Sequence, residues 1–473
     1  MSNIYHLLSE RLPLLRRGLG GGACSFSIGG IHPEDNKLAA NSPLQALPPE
    51  GTASIFLGQH IGAPAEAIVS KGERVKTGQL IAKASGWVSA DIHSSVSGTV
   101  VAVEPVADLS GIRQPAITIQ VEGDEWLETI DRSPEIIREI PSDSAVIIKK
   151  IAAAGIVGLG GAAFPTHVKL SPPPGKKAGI LIINAAECEP FLTSDHRVML
   201  EFGEQALIGA LLLKQALHAS KAFIGIESNK PDAIRELQKI IRERGYELQV
   251  VRLKKRYPQG GEKQLIDAVT HRRVPSMGLP ADVGVAVQNV GTALAVYEAV
   301  QKHKPLIENS ITITGKNLPQ QINALVRLGT PLSRLAALAG GIPAGTGKIV
   351  CGGPMMGKAI VNMDAPTTKV TSALLFIPHG EAQRRKASNC IRCAKCVQAC
   401  PMGLEPYLLI KLTQRSRYDE LRANRMSDCI ECGCCLYSCP AHIPLLDYIR
   451  MGKGELKSSK LKVENYPTDG HRL

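Results

Sequence analysis

Eight cysteines in two matching runs constrain this chain more than any other feature. Cys390, Cys393, Cys396 and Cys400 are followed by Pro401, and Cys429, Cys432, Cys435 and Cys439 by Pro440. Each run reads C-x2-C-x2-C-x3-C-P, a spacing that wraps three thiolates around one iron–sulfur cubane and points the fourth away. The fourth cysteine of each run then serves the other centre. Cys390, Cys393, Cys396 and Cys439 are expected on one [4Fe–4S] cluster, and Cys429, Cys432, Cys435 and Cys400 on the second. Structural zinc also uses C-x2-C pairs, but it has no use for a third cysteine two residues on or for the trailing proline. Cys434 would displace Cys435 from the register and reads as a packed or solvent-facing thiol. The stretch between the runs, LEPYLLIKLTQRSRYDELRANRM, carries apolar residues at helical intervals and no glycine, so this module should be largely helical.

Nine of the twelve cysteines lie between Cys390 and Cys439, which argues for metal ligation in a reducing compartment rather than for disulfides. Cys24 and Cys351 read as packed thiols, and the histidines show no ligand spacing. A chain of 473 residues exceeds one ordinary core and implies several compact units. The net charge of +12 implies attraction to something acidic: an anionic membrane face, an acidic electron carrier or nucleic acid. Aromatic residues make up only 4% and do not interleave with the basic ones, which argues against nucleic acid. No run of about eighteen apolar residues occurs, and charges and Pro13 interrupt the apolar part of the start, so no secretory leader is expected. Ile4 to Leu15 reads as a frayed surface helix, with a membrane-touching amphipathic segment as the alternative.

Upstream of the cysteines, residues 145 to about 305 alternate short apolar strands with helical patterns: AGILIIN, EQALIGALLLKQALH, KAFIGIES, DAIRELQKIIRERG, YELQVVRL. That rhythm predicts an α/β layer fold with a parallel sheet, whose ligands bind beyond the carboxyl ends of the strands. Three loops fall there. In GLGGAAFPTHVK, Gly158, Gly160 and Gly161 leave backbone amides bare for a phosphate; a close-packed turn is the plainer alternative. NAAECEP follows a strand and projects Asn184, Glu187 and Glu189, groups suited to a heteroaromatic ring or ribose, or else to an ordinary polar loop. YPQGGEKQL adds another Gly-Gly turn, with Glu262 after it. GTGK at 345–348 is not a phosphate loop, because Ile349 replaces the needed Ser or Thr.

Together these segments resemble the NADH- and FMN-binding subunit of respiratory complex I, which carries GRGGAGFPTGLK-like and N-x-x-E-x-E-P loops. The order of parts and the stretch GGIHPEDNK, residues 29 to 37, resemble more closely the C subunit of the Rnf (Rsx) electron transport complex. By that resemblance Gly158, Gly160, Gly161 and Lys169 would cradle the FMN phosphate and ring, with Phe164 as an apolar neighbour. Asn184, Glu187 and Glu189 would fall on the second loop; Gly260 and Glu262, and Asn289 and Thr292 of QNVGT, would complete the cofactor-binding set. Ala186, Gly261 and Gly291 stand where the complex I pattern has acidic residues, so the nicotinamide contacts differ from it. No catalytic acid or base is expected. Residues 40–125 resemble the barrel-sandwich fold of biotinyl and lipoyl carriers, but SGWVSADIHSS offers no lysine at the hairpin tip, and Lys83 comes several residues early. Docking is therefore expected there rather than a swinging arm. Segment 306 to 365 resembles a β-grasp module.

The reading is multidomain α/β. Its parts are a leader (1–28), a barrel-sandwich hybrid domain (29–130), a Rossmann-like α/β FMN/NADH domain (131–305), a β-grasp (SLBB) domain (306–370), an α-helical two-cluster ferredoxin domain (371–455) and a tail (456–473). The resemblance implies a peripheral subunit on the cytoplasmic face of the inner membrane. There it would exchange electrons between NAD(H), FMN and two [4Fe–4S] clusters, with integral-membrane and ferredoxin-like subunits as partners. Two other readings fit the same parts: a soluble cobalamin-reductase-like enzyme, or a flavin-free relay.

Overall fold

The computed structural model describes residues 22–464; the reading of Ile4 to Leu15 and the second half of the tail lie outside the described residues. The chain enters as an extended strap. Gly29 and Gly30 have φ of 66° and 85°, a conformation that side chains disfavour, and a methyl on Gly29 would overlap the Cys400 carbonyl. Ile31 exchanges two backbone hydrogen bonds of 2.9 Å with Tyr257, and the Gly30 amide donates to the Ala399 carbonyl. A short strand follows, β1 (Leu44–Ala46). It joins a sheet formed much later in the chain, not the sandwich to which sequence reading joins it.

The sandwich itself comprises β2 (Thr52–Phe56), β3 (Glu66–Ala67), β4 (Arg74–Val75), β5 (Leu80–Lys83), β6 (Ile92–His93), β7 (Gly98–Ala107) and β8 (Arg113–Val121). Sheets of order β2-β8-β7-β4 and β3-β5-β6 face each other across Ile55, Ile81, Val100, Ile117 and Ile119, all essentially buried.

The α/β unit is built on β9 (Ile180–Ala185), β10 (Lys221–Glu227), β11 (Gln249–Leu253) and β12 (Val285–Asn289), in the order β11-β10-β9-β12 and parallel throughout. In β9 Leu181 and Ile183 enter one core while Ile180 and Ile182 enter another. A strand covered on both faces needs the unbroken apolar run that the sequence shows. Helices Gly203–Ala216 and Val290–Gln301 pack on the first face, and Glu262–Thr270 on the second. Where the first two cross, Gly209 lies directly on the Ala293 backbone.

The third sheet contains β13 (Glu308–Gly315), β14 (Ile322–Arg327), β15 (Thr346–Cys351), β16 (Lys358–Ala359) and β17 (Ala373–Pro378), in the order β1-β14-β13-β17-β15-β16. β13 and β17 are parallel, the other internal pairs antiparallel, and helix Leu332–Leu338 covers one face. GTGK opens β15, an ordinary strand start. The cysteine module is helical as expected, but its linker forms two helices, Pro406–Gln414 and Tyr418–Ala423, with Ser416 left-handed between them. Among the described residues no helix is long and apolar enough to cross a membrane.

Gly209→Ala tests the helix crossing that carries Asn289 at its end. The substitution gains about 1 kcal/mol of helix propensity, but a backbone carbonyl cannot move aside as a side chain can, and overpacking costs about 1–3 kcal/mol. A lowered urea midpoint is expected; a raised one contradicts the close approach.

Candidate functional site

A cavity of about 1870 Å³ opens at the carboxyl ends of the parallel strands and is walled by the α/β unit, the sandwich and the third sheet. The glycine loop forms one side. Its neck is closed by the Gly158 amide donating to the Phe164 carbonyl at 3.0 Å, and Gly160, Gly161 and Ala162 are exposed. A side chain on Gly160 would sit 2.9 Å from Asn289 Cβ, whereas Gly161 has open space around it. The loop is held from behind by Thr292, whose hydroxyl accepts from the Leu159 amide at 3.0 Å. Thr292 is buried and supports the loop rather than lining the cavity.

Asn289 caps helix Val290–Gln301: its Oδ1 accepts from the Gly291 and Thr292 amides, while Nδ2 donates to Asp195 at 2.8 Å. Lys169 Nζ donates to Glu262 and to the Val287 carbonyl, both at 2.7 Å. Asn184 donates to the Gly260 carbonyl at 2.8 Å, which fixes the second Gly-Gly turn to the end of β9. Glu187 Oε1 accepts from the Asp195 amide at 2.7 Å, and its buried Oε2 has no hydrogen-bond partner. Glu189 turns to the third sheet, accepting from the Met355 and Met356 amides at 3.1 and 2.8 Å. Its role in this structure is to tie two units together.

Several functional groups went unread in the sequence. Lys37 of GGIHPEDNK reaches under the 184–192 loop and donates to the carbonyls of Glu187, Glu189 and Leu192 at 2.6–2.9 Å. Burial, with Lys230 nearby, lowers its pKa. Lys230, itself buried, donates to the Ala186 carbonyl at 2.7 Å. Burial pushes Asp195 up to about 7, with Glu187 adding to the rise. Burial likewise raises Glu189 and Glu227 to about 7, and Cys188 to about 12. Such a concentration of desolvated ionisable groups around a concave site is a mark of function.

The donor set fits a flavin phosphate and ring. Bare glycine amides and a lysine face the cavity, and three buried polar atoms of residues on its wall, Glu187 Oε2, Gln264 Oε1 and Gln288 Nε2, lack hydrogen-bond partners. A buried polar group without a partner costs about 1–3 kcal/mol, so a ligand that satisfies these atoms recovers that energy.

Cys400, Cys429, Cys432 and Cys435 line one apolar cleft, and Cys396 lies within electrostatic reach of Cys439. Left-handed residues recur at the same two places in both runs, Arg392 and Ala394 in one, Glu431 and Gly433 in the other. This repeated turn gives the two runs the same backbone course. The Cys400 and Cys429 sulfurs already accept 3.4 Å bonds from the Leu404 and Glu431 amides, of the kind that tune cluster potentials. Among the described residues no trio of His, Cys, Asp or Glu is gathered tightly enough to hold a single metal ion. The surplus Cys434 is fully buried, on the packed side of its two expected settings. Cys390 and Cys393 are exposed, whereas Cys400, Cys432 and Cys435 are buried. The buried set abuts the cavity: Ile430 lines both spaces, and the Tyr257 hydroxyl donates to the Cys432 carbonyl at 2.9 Å.

Comparison with known families matches residues 151–298 to the Nuo51 FMN-binding domain, 25–124 to the RnfC barrel sandwich hybrid domain and 381–442 to a 4Fe–4S dicluster domain. The C subunit of the proton-translocating ferredoxin:NAD(+) oxidoreductase complex of Clostridium ljungdahlii is 45% identical over 396 residues, 83% of this chain and 86% of the relative. Its counterpart in the Na(+)-translocating complex of Acetobacterium woodii is 43% identical over 436 residues, 92% and 98% of the two chains. The counterpart in the ion-translocating oxidoreductase complex of Rhodobacter capsulatus is 42% identical over 392 residues, 81% and 74%.

Asp195 and Glu189 hold protons in the folded chain up to about pH 7, whereas unfolded carboxylates release them near pH 4. The native state therefore binds more protons between those values, and their contribution to stability, full below about pH 4, is lost as pH rises through about 7. Asp195→Asn removes one such group and keeps an acceptor for Asn289. The fall in urea midpoint between pH 5.5 and 7.5 should be smaller in the variant than in the parent; an equal fall contradicts the assignment.

Proposed function

Because this chain belongs to the RnfC family, the C subunits of Rnf-type ion-translocating ferredoxin:NAD+ oxidoreductases, we propose that it exchanges electrons between NAD(H), FMN and two [4Fe–4S] clusters at the cytoplasmic face of the membrane. It is a subunit of an oxidoreductase complex and carries an FMN-binding domain and a dicluster domain. The observation that carries the fuller reading is the single cavity at the strand ends, glycine-walled on one side and abutting the buried cysteine set on the other.

Bound FMN would supply the conversion between a two-electron hydride and single electrons. The chain's own residues bind and orient. The amides of Gly160 and Gly161 would meet the phosphate, the Gly158 amide being taken by the Phe164 carbonyl, with Lys169 as the cation, held in place by Glu262 and the Val287 carbonyl. Asn184 and Gly260 set the floor of the cavity; Glu187 and Gln288 offer the unpaired acceptor and donor. Asn289 and Thr292 hold the glycine loop, and Glu189 braces its neighbour. Hydride transfer needs no general acid or base, and none is assigned.

Cys400, Cys429, Cys432 and Cys435 would hold the inner cluster, beside the cavity. Cys390, Cys393, Cys396 and Cys439 would hold the outer one, whose exposed rim faces a partner. The strand order β14-β13-β17-β15-β16, with its parallel centre and single covering helix, supports a β-grasp (SLBB) module between the flavin domain and the cluster domain, but β17 (Ala373–Pro378) carries it past the expected boundary at 370. The net charge of +12 suits an anionic bilayer face or acidic partner subunits, and the membrane-embedded and ferredoxin-like subunits of such a complex are the expected neighbours.

Anaerobic reconstitution with FMN, iron and sulfide tests this reading. NADH should bleach the iron–sulfur absorbance; clusters that assemble but neither retain FMN nor respond to NADH contradict it. Lys169→Met removes a charge-assisted contact and should weaken FMN binding by about tenfold or more, measured by flavin fluorescence quenching.

A further inference from the structure

The tip of the sandwich domain carries none of the residues assigned above to the flavin or the clusters. The hairpin that in a biotinyl or lipoyl carrier would present a modified lysine presents Trp87, which is 66% exposed and lines the cavity. An indole left in water forgoes a large apolar burial, so its position at a cavity mouth calls for a reason.

Trp87 is also held. Its ring meets His167 in a T-shaped contact, with centroids 6.0 Å apart and planes at 87°. That edge-to-face arrangement occupies at most one face of the indole. The strap that carries it is pinned by Ser85 and Ser89, whose hydroxyls donate to the Pro64 and Ala63 carbonyls, and by the Ala63 amide donating to the Val88 carbonyl at 3.0 Å. The Ile61 amide donates to the Ala163 carbonyl at 3.3 Å, joining the strap to the glycine loop. His167 follows that loop on the short helix Thr166–Lys169, so the indole and the loop share one rigid frame. The ring is thus a preorganised flat apolar surface on the wall of the cavity that Asn184, Glu187 and Gln288 also line.

We propose that Trp87 is the stacking platform for the adenine ring of the nicotinamide dinucleotide, so that the sandwich domain supplies one wall of the substrate site. The inference rests on the NAD(H)-handling reading above. A purine has a π-face that stacks on aromatic side chains without demanding a specific hydrogen-bond pattern. A dinucleotide that places its nicotinamide among the polar groups carries its adenine well away from them, toward the mouth. The sandwich is then a substrate-selecting part of the enzyme.

Only Trp87 and Trp126 contribute indole emission, so Trp126→Phe leaves Trp87 as the sole reporter. In the full-length protein, reconstituted with FMN and clusters, ADP-ribose and NAD+ should quench that emission saturably and nicotinamide mononucleotide should not. In Trp87→Ala the ratio of kcat/KM for NADH to that for reduced nicotinamide mononucleotide should fall about tenfold or more, and Trp87→Phe should restore most of it. An emission indifferent to ADP-ribose while NADH still bleaches the flavin overturns the proposal, as does an unchanged ratio in Trp87→Ala. If NADH fails to bleach the flavin in the Trp126→Phe protein, the underlying reading falls and the proposal with it.

Discussion

The arrangement depends on a seam in which three distant segments meet at Tyr257. On one side Ile31 of the strap pairs with its backbone; on the other its hydroxyl donates to the Cys432 carbonyl. Tyr257 is 1% exposed, and burial drives its hydroxyl pKa upward, so the group stays a neutral donor. Leaving that donor unpaired in a buried site would cost about 1–3 kcal/mol. Gly29 closes the seam because any side chain there meets the Cys400 carbonyl. Arg256 adds a hydrogen bond to the Gly29 carbonyl and stacks over Phe26 at 4.3 Å. A cluster module that could otherwise swing on its linker is thereby held against the strand ends.

The same strap supplies the cation beneath the 184–192 loop. Strand ends leave backbone carbonyls without ladder partners, and buried carbonyls must find donors. Lys37 satisfies three and Lys230 a fourth. Burying two ammonium groups is unfavourable unless acidic groups accompany them. Glu187 lies 3.9 Å from Lys37 and Glu227 4.0 Å from Lys230. Burial raises Asp195, Glu189 and Glu227 to about 7, and the lysines pull them back toward the ionised form. The site is preorganised by these buried ions, and the glycine loop contributes the open surface.

Much of this was legible in the sequence where the signal is local. The alternation of GILII and its neighbours with helical patterns foretold a parallel sheet under helices. What was hidden depends on partners far along the chain. GGIHPEDNK looked like a signature, but its function lies in contacts with Tyr257, Ala399 and the Glu187 loop, none of which spacing reveals. β1 is three residues long and pairs with a strand about 280 positions later, so no periodicity marks it. Asp195 sits in an ordinary helical first turn, and only its burial distinguishes it. The turn at Ser416 that separates the two linker helices has no glycine or proline to announce it.

The central claim is that the seam makes the buried cysteine set the inner one. Two variants of the reconstituted protein test it most directly, Cys390→Ser/Cys393→Ser and Cys432→Ser/Cys435→Ser, each loaded with its remaining cluster and mixed rapidly with NADH. The account predicts that the remaining cluster bleaches at the parental rate in the first variant and far more slowly in the second. Equal rates in the two variants, or the reverse order, would contradict it.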